Sequence, residues 1–203
     1  MHDSEQRLRD LIRGVAERVI AAADELTELD RAIGDGDHGI NMKRGFAEVL
    51  TKLDELAAKP VPKALTDTGM TLVMKVGGAS GPLYGTLIMS LGKSLPETPA
   101  AADLAGALST AVEALKRRGK SEAGQKTMLD VWVPLCALTE TGQATLHQVR
   151  TLAAESAQST VPMQAVRGRA SFLGERSIGH MDPGARSSQL IIEAVCDVLE
   201  GRS

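Results

Sequence analysis

The stretch LDRAIGDGDHG, Leu29 to Gly39, sets Asp30, Asp35, Asp37 and His38 among Gly34, Gly36 and Gly39. Carboxylates this close repel one another unless a cation sits among them. Mg2+ and Ca2+ prefer oxygen ligands, so a hard divalent cation is the chemistry this spacing suggests. Asp30 closes one apolar-periodic run and His38-Gly39 opens the next. A helix N-terminus carries unpaired N–H groups and a partial positive charge that favour a phosphate. A metal beside such an end outlines a nucleotide-phosphate site. The plain alternative is a solvated acidic turn, since Asp and Gly are ordinary turn residues. An EF-hand is set aside because Gly occupies position 39 and the closing Glu is absent.

Other segments hold residues that such a site would use. Asn41, in the first turn after His38, would hold a phosphate or a metal-bound water, or stand solvated. Gly77, Gly78 and Gly81 with Ser80 allow close backbone approach to a ligand, or equally close helix packing. A long irregular stretch, Val161 to Pro183, carries Arg169, Arg176 and His180. An arginine there would pair with phosphate or with the carboxylates, against the alternative of a surface arginine. Asp182-Pro183-Gly184 is a helix-start signal with Asp182 as N-cap. The GKS triplets at Gly92 and Gly119 are not Walker A motifs, because Leu87 and Ala114 stand where the leading glycine belongs.

The elements that position these residues read as helices. Apolar residues at helical spacing predict helices over about Ser4–Ala32, with Ser4 as N-cap, and over Gly39–Ala58, Pro62–Val76, Pro82–Ser94, Ala100–Arg118, Gln125–Thr139, Thr145–Thr160 and Gly184–Leu199. Pro134 predicts a kink in the sixth, and Trp132 reads as core. No run alternates as a strand would. Hydrophobic residues make up 43% of the 203 and aromatic ones 2%, so the core must be aliphatic, which favours helix. The expected fold is all-α, one domain over residues 1–203, with short loops joining antiparallel neighbours.

Composition also excludes. A formal net charge of −3 argues against a nucleic-acid surface, and the lack of aromatics removes base-stacking platforms. Cys136 and Cys196 lie in apolar helical patterns and are expected as buried free thiols. The polar N-terminus MHDSEQRLRD does not read as a signal peptide, and no apolar run approaches a membrane span. A cytoplasmic protein without membrane or nucleic-acid partners is expected.

If eight helices run up and down, alternate loops share an end. The loops GDGDHG, GGASGP, RGKSEAG and RGRASFLGERSIGHMDPG fall together; AAKPVP, SLPETPA and TETGQA fall at the other end. The first set holds the acidic cluster, His38, His180, Arg169 and Arg176. Function often sits on loops held by a rigid scaffold, so one site at one end of a helical bundle is expected.

Four blocks, LDRAIGDGDHGINMKRGF, VGGASGPLYGT, RGKSEAGQKTMLDVWVP and GRASFLGERSIGHMDPGARSS, together resemble the nucleotide-binding L subunit of dihydroxyacetone kinase. The resemblance covers almost the whole chain. It implies an eight-helix antiparallel up-and-down barrel with the nucleotide at one end. It implies that Asp30, Asp35 and Asp37 bind one or two Mg2+ ions bridging the phosphates of ADP or ATP. His38, Gly39, Ile40 and Asn41 would lie against the phosphates, Ala79 and Ser80 would line the site, and Gly119 and Met128 would lie near the base. Arg169 would stand near the terminal phosphates, and Asp182, Pro183 and Gly184 would close the pocket. Arg169 and His38 are the implied catalytic residues.

The family divides by phosphoryl source. In three-subunit systems the L subunit keeps ADP bound, a phosphohistidine carrier charged from phosphoenolpyruvate rephosphorylates it, and a partner subunit holds dihydroxyacetone. The lack of a fused substrate domain here favours that type over an L subunit serving an ATP-dependent ketose kinase. A nucleotide-state-dependent regulator of a transcription factor, and a homodimer, are further readings the resemblance leaves open.

Overall fold

The computed structural model describes residues 2–202. Among them are ten α-helices and one 3-10 segment, with no strand: α1 (His2–Ala21), α2 (Ala23–Ile33), α3 (His38–Thr51), α4 (Leu53–Ala57), α5 (Val61–Lys75), α6 (Ser80–Ser94), α7 (Ala101–Gly119), α8 (Leu129–Glu140), α9 (Leu146–Ser159), the 3-10 segment (Arg169–Ser177) and α10 (Pro183–Leu199).

The two extra helices arise where expected helices are interrupted once each. Ala22 (φ −89°, ψ 8°) separates α1 from α2, and Lys52 (φ −107°, ψ 9°) separates α3 from α4. In both cases the helical path resumes within a turn: the Leu26 N–H reaches the Ala22 carbonyl at 3.0 Å and the Leu56 N–H reaches that of Lys52 at 2.9 Å. Ser4 lies inside α1 rather than at its cap. Pro62 sits in the first turn of α5, where its missing N–H costs nothing. The sixth expected helix starts at Leu129, not Gln125. The Asp130 carboxylate draws the Gly124 and Thr127 N–H groups into a loop, and Gly124 and Lys126 take positive φ. Pro134 lies inside α8, which continues through it.

Packing follows chain order and closes on itself. Helices α1 and α2 lie on α3, α3 on α5, and α5, α6, α7, α8, α9 and α10 each on the next, with α10 returning to α1 and α2. Helices α5 and α6 pack closely through glycine: a Cβ on Gly69 would stand 2.8 Å from the Gly85 carbonyl oxygen. The enclosed core is aliphatic apart from Phe46, Tyr84 and Trp132, with Val19, Met42, Val49, Leu72, Leu115 and Leu129 among its buried members. Each such side chain contributes about 1.5–3 kcal/mol relative to exposure. Cys136 and Cys196 are buried free thiols. Where α10 meets α1 and α9, Arg18 pairs with Asp197 at 2.5 Å and Arg150 with Asp197 at 2.8 Å and Glu200 at 3.0 Å. Among the described residues no helix is long and apolar enough to cross a membrane.

Candidate functional site

The loops after α2, after α5 and after α7, and the long segment before α10, converge on one cleft. Its walls include Asp30, Asp35, Asp37 and His38 from the first, Gly78, Ala79 and Ser80 from the second, Lys126 to Met128 from the third, and Arg167 to Ala170 with Asp182 to Gly184 from the fourth. This is the set of loops that alternation assigns to one end.

The acid turn is held from below by Asp30. Its Oδ2 accepts the N–H of Asp37 at 2.8 Å and of His38 at 3.0 Å. One buried carboxylate thereby fixes the start of α3, whose own N-cap residue, Asp37, makes no side-chain cap. The three glycines serve three ends. Gly36 takes φ +74°; a Cβ on Gly34 would lie 2.1 Å from Asp30 Oδ1; one on Gly39 would lie 1.9 Å from the Ala23 carbonyl oxygen. Oxygens of Asp30, Asp35 and Asp37 all lie within 4.8 Å of one another. Arg169 Nη1 pairs with Asp35 Oδ2 at 2.5 Å. Oxygen atoms this close, with a guanidinium already drawn to one of them, fit a hard cation, with Asp30, Asp35 and Asp37 as candidate donors.

Beneath the turn lies a chain of buried polar groups. His38 has Ser80 Oγ 2.9 Å from Nδ1 and Ser187 Oγ 3.0 Å from Nε2. Burial lowers its pKa to about 4, against the opposing pull of Asp30 and Asp37, so the ring is neutral at pH 7. Both ring nitrogens of His38 are occupied by hydroxyls. Tyr84 Oη stands 2.6 Å from Ser187 Oγ and 2.9 Å from Ser188 Oγ, and the Trp132 indole N–H donates to Ser188 Oγ at 2.8 Å. Trp132 is thus a core residue whose one polar atom is satisfied.

The far wall is organised by Asp182 and Lys126. Asp182 caps α10 by accepting the Ala185 N–H at 2.7 Å. Burial, with the nearby Asp130 charge adding, raises its carboxyl to about 7; the Ala185 N–H and the Lys126 ammonium oppose. Lys126 is 1% exposed. Its ammonium donates to the carbonyls of His180 at 2.5 Å, Thr160 at 2.6 Å and Met163 at 3.1 Å. Burial lowers its pKa, while Asp182 and Asp130 act the other way.

Of the residues singled out from sequence, Asp30, Asp35, Asp37, His38, Ala79, Ser80, Met128, Arg169, Asp182, Pro183 and Gly184 line the cleft. Gly39, Ile40, Asn41, Gly119 and Arg176 do not. Gly39 packs on α2, Ile40 is 56% exposed, and the Asn41 carboxamide accepts from Arg44 at 2.9 Å. A Cβ on Gly119 would lie 3.4 Å from Leu83, itself a lining residue. Lys126, Arg167, Leu83 and Tyr84 line the cleft without having been singled out.

An all-helical ring with an acid triad at a helix start, faced by Arg169, is the arrangement a metal-dependent, phosphate-binding helical domain would use. The chain belongs to the DAK2 domain family, whose model matches residues 32–197. It is 44% identical over 195 residues, 96% of each chain, to the PEP-dependent dihydroxyacetone kinase 1, ADP-binding subunit DhaL, of Listeria innocua. It is 43% identical over 180 residues, 84% of this chain and 86% of the other, to the PEP-dependent dihydroxyacetone kinase, ADP-binding subunit DhaL, of Escherichia coli. The dihydroxyacetone kinase of C. freundii in complex with AMP-PNP and Mg2+ shares the fold, with a TM-score of 0.73 at 22% identity. The match covers 94% of this chain and 33% of that one, so this chain spans a third of the length of that kinase.

Proposed function

We propose that this chain is the ADP-binding subunit of a phosphoenolpyruvate-dependent dihydroxyacetone kinase, a single domain over residues 1–203. The observation that carries this reading is the convergence of four loops on an acid triad at the start of α3. The near full-length match to stand-alone ADP-binding subunits supports it. Taking α1 with α2 and α3 with α4 as single bent rods gives eight helices, read as an antiparallel up-and-down barrel; their closed packing order supports this. A cytoplasmic location fits the same reading.

Asp30, Asp35 and Asp37 would hold one or two Mg2+ ions, which supply positive charge against nucleotide phosphates. Residues of the chain do the rest. Arg169, released from Asp35, turns its guanidinium toward the terminal phosphates, where charge stabilisation and positioning are most of phosphoryl-transfer catalysis. His38, neutral and held by two hydroxyls, orients Ser80 toward the cleft. The start of α3, whose first residue His38 lines the cleft, would add its dipole to the attraction for an anion. Dihydroxyacetone on a partner subunit would take the terminal phosphoryl group of bound ATP at a hydroxyl, giving glycerone phosphate, ADP and a proton, and a phosphohistidine carrier would restore that group to the ADP and be left with free histidine.

The test is to denature purified protein, identify any released nucleotide by chromatography, and follow exchange of fresh protein with labelled ATP. Retained ADP that does not exchange is the expected result. A rapidly exchanging site would favour an ATP-dependent ketose kinase subunit, and no binding with Mg2+ present would overturn the reading.

A further inference from the structure

Lys126 is a buried cation with no carboxylate among the described residues hydrogen-bonded to it. Its three strong acceptors are main-chain carbonyls from the two ends of one segment: Thr160 and Met163 where the chain leaves α9, and His180 just before α10. The Val161 carbonyl, at 3.5 Å, lies at the edge of reach. Three ammonium N–H groups thus meet three close carbonyl oxygens, and none is left to point at a ligand. The same neck is closed by the Gly179 N–H on the Val161 carbonyl at 2.8 Å and by the Asp182 N–H on Thr160 Oγ1 at 3.0 Å. Between the two ends the chain swings out to the cleft and presents Arg167 to Ala170. Holding the lysine there has a cost. It takes a left-handed φ of 60°, which side-chain-bearing residues rarely adopt, and its ammonium is withdrawn from water.

We propose that Lys126 is a positioning residue: its ammonium clasps both ends of the 160–182 segment and thereby holds Arg169 and Asp182 at fixed places on the cleft wall. Any buried ammonium needs acceptors; that these are drawn from both ends of one loop is what makes the lysine a tie between them. The role differs from that of Arg169, which reaches the acid turn directly. It rests on the nucleotide reading in one of its two readouts only; the other is a property of the unliganded protein.

Lys126→Met keeps the length and apolar stem and removes the donors. Lys126→Gln keeps two N–H donors without the charge. In the folded full-length chain, Lys126→Met should speed amide hydrogen exchange across residues 163–180 by about tenfold or more. It should also speed release of Mg2+-ADP by a similar factor, while helices α5 to α7 keep wild-type protection. Lys126→Gln should fall between wild type and Lys126→Met in both readouts together. Wild-type exchange across 163–180 in Lys126→Met would overturn the proposal. So would Lys126→Gln protecting the loop as wild type yet releasing nucleotide as fast as Lys126→Met, since charge on the ligand would then be the operative effect. Should Lys126→Met not fold, Thr160→Val removes the Asp182 N–H acceptor isosterically. It should loosen the same amides by a smaller factor, and unchanged exchange there would equally refute the clasp. Failure of wild-type protein to bind Mg2+-ADP would instead count against the nucleotide reading and leave the exchange result to decide the clasp.

Discussion

Gly39→Ala adds one methyl group where helix α3 starts against helix α2. The new Cβ would stand 1.9 Å from the Ala23 carbonyl oxygen, 2.4 Å from Thr27 Oγ1 and 2.7 Å from the Thr27 nitrogen. Two of these atoms are helix backbone, and the Thr27 hydroxyl is itself bonded to the Ala23 carbonyl at 2.8 Å, so none can step aside alone. Side-chain-bearing residues essentially never show such contacts under 3.0 Å, so the two helices must separate by roughly 1 Å, an overpacking cost of about 1–3 kcal/mol. That movement also draws the Asp37 and His38 N–H groups, now at 2.8 and 3.0 Å, off Asp30 Oδ2. Weakening hydrogen bonds to a buried carboxylate adds about 1–3 kcal/mol. A total loss of about 2–6 kcal/mol lowers the melting temperature by roughly 5–20 °C for a chain of this size. Calorimetry with Mg2+-ADP should show weaker binding, because the acid triad is spread. Gly106→Ala in α7 is the control: nothing lies within 4 Å of its Cβ, and alanine in a helix interior should raise stability by about 0.5–1 kcal/mol. Urea denaturation compares the two. If Gly39→Ala unfolds at the wild-type midpoint and binds nucleotide normally, the close contact and the reasoning built on it are wrong.

Asp37→Ala should lose tight retention of ADP in Mg2+, by at least about tenfold; unchanged affinity in titration calorimetry would contradict the assigned donor set. Burial raises Asp182 to about 7 in the folded chain, against an ordinary 3.8, so between those values the folded state holds the proton more tightly than the unfolded one. Its contribution to stability is therefore full below about pH 4 and lost as pH rises through 7. Asp182→Asn, which keeps a capping oxygen, should accordingly gain on wild type by roughly 4 kcal/mol between about pH 4 and pH 8; parallel denaturation curves showing a constant difference would disprove it. Ser188→Ala strips the Trp132 N–H of its partner and should cost about 1–3 kcal/mol, read as a lower melting temperature with the helical circular dichroism intact.

Helices and glycine loops were legible because both leave local marks. Asp182 as N-cap and the capping box of Thr145 with Gln148 begin helices where such residues ordinarily do. The four loops that meet at the cleft are the four that alternation puts at one end. The breaks at Ala22 and Lys52 were not legible, since the apolar stripe stays in phase across each. The late start of α8 depends on Asp130 reaching back to Gly124 and Thr127, a side-chain competition that periodicity does not register. Lys126 was hidden for a different reason. Lysine is read as a surface residue, and its carbonyl partners stand 34 to 54 residues away in sequence. The two ends of the acid turn were visible, but the division of labour among its glycines was not: only Gly36 there needs a positive φ, and the other two are fixed by what lies opposite.

The closure of the helical ring has a consequence for the order of events during synthesis. Its seam joins Arg18 to Asp197, 179 residues apart. Contacts so distant in sequence form late and slow the folding of a chain. A nascent chain still lacking α10 already carries the acid triad but has no Asp182–Gly184 wall, and the faces of α1 and α9 that α10 covers stay bare. Such a chain presents an unsealed apolar slot to the ribosome exit and to holding chaperones. The same helix that seals the slot also completes the cleft, so ligand competence and resistance to aggregation arrive together once α10 has docked.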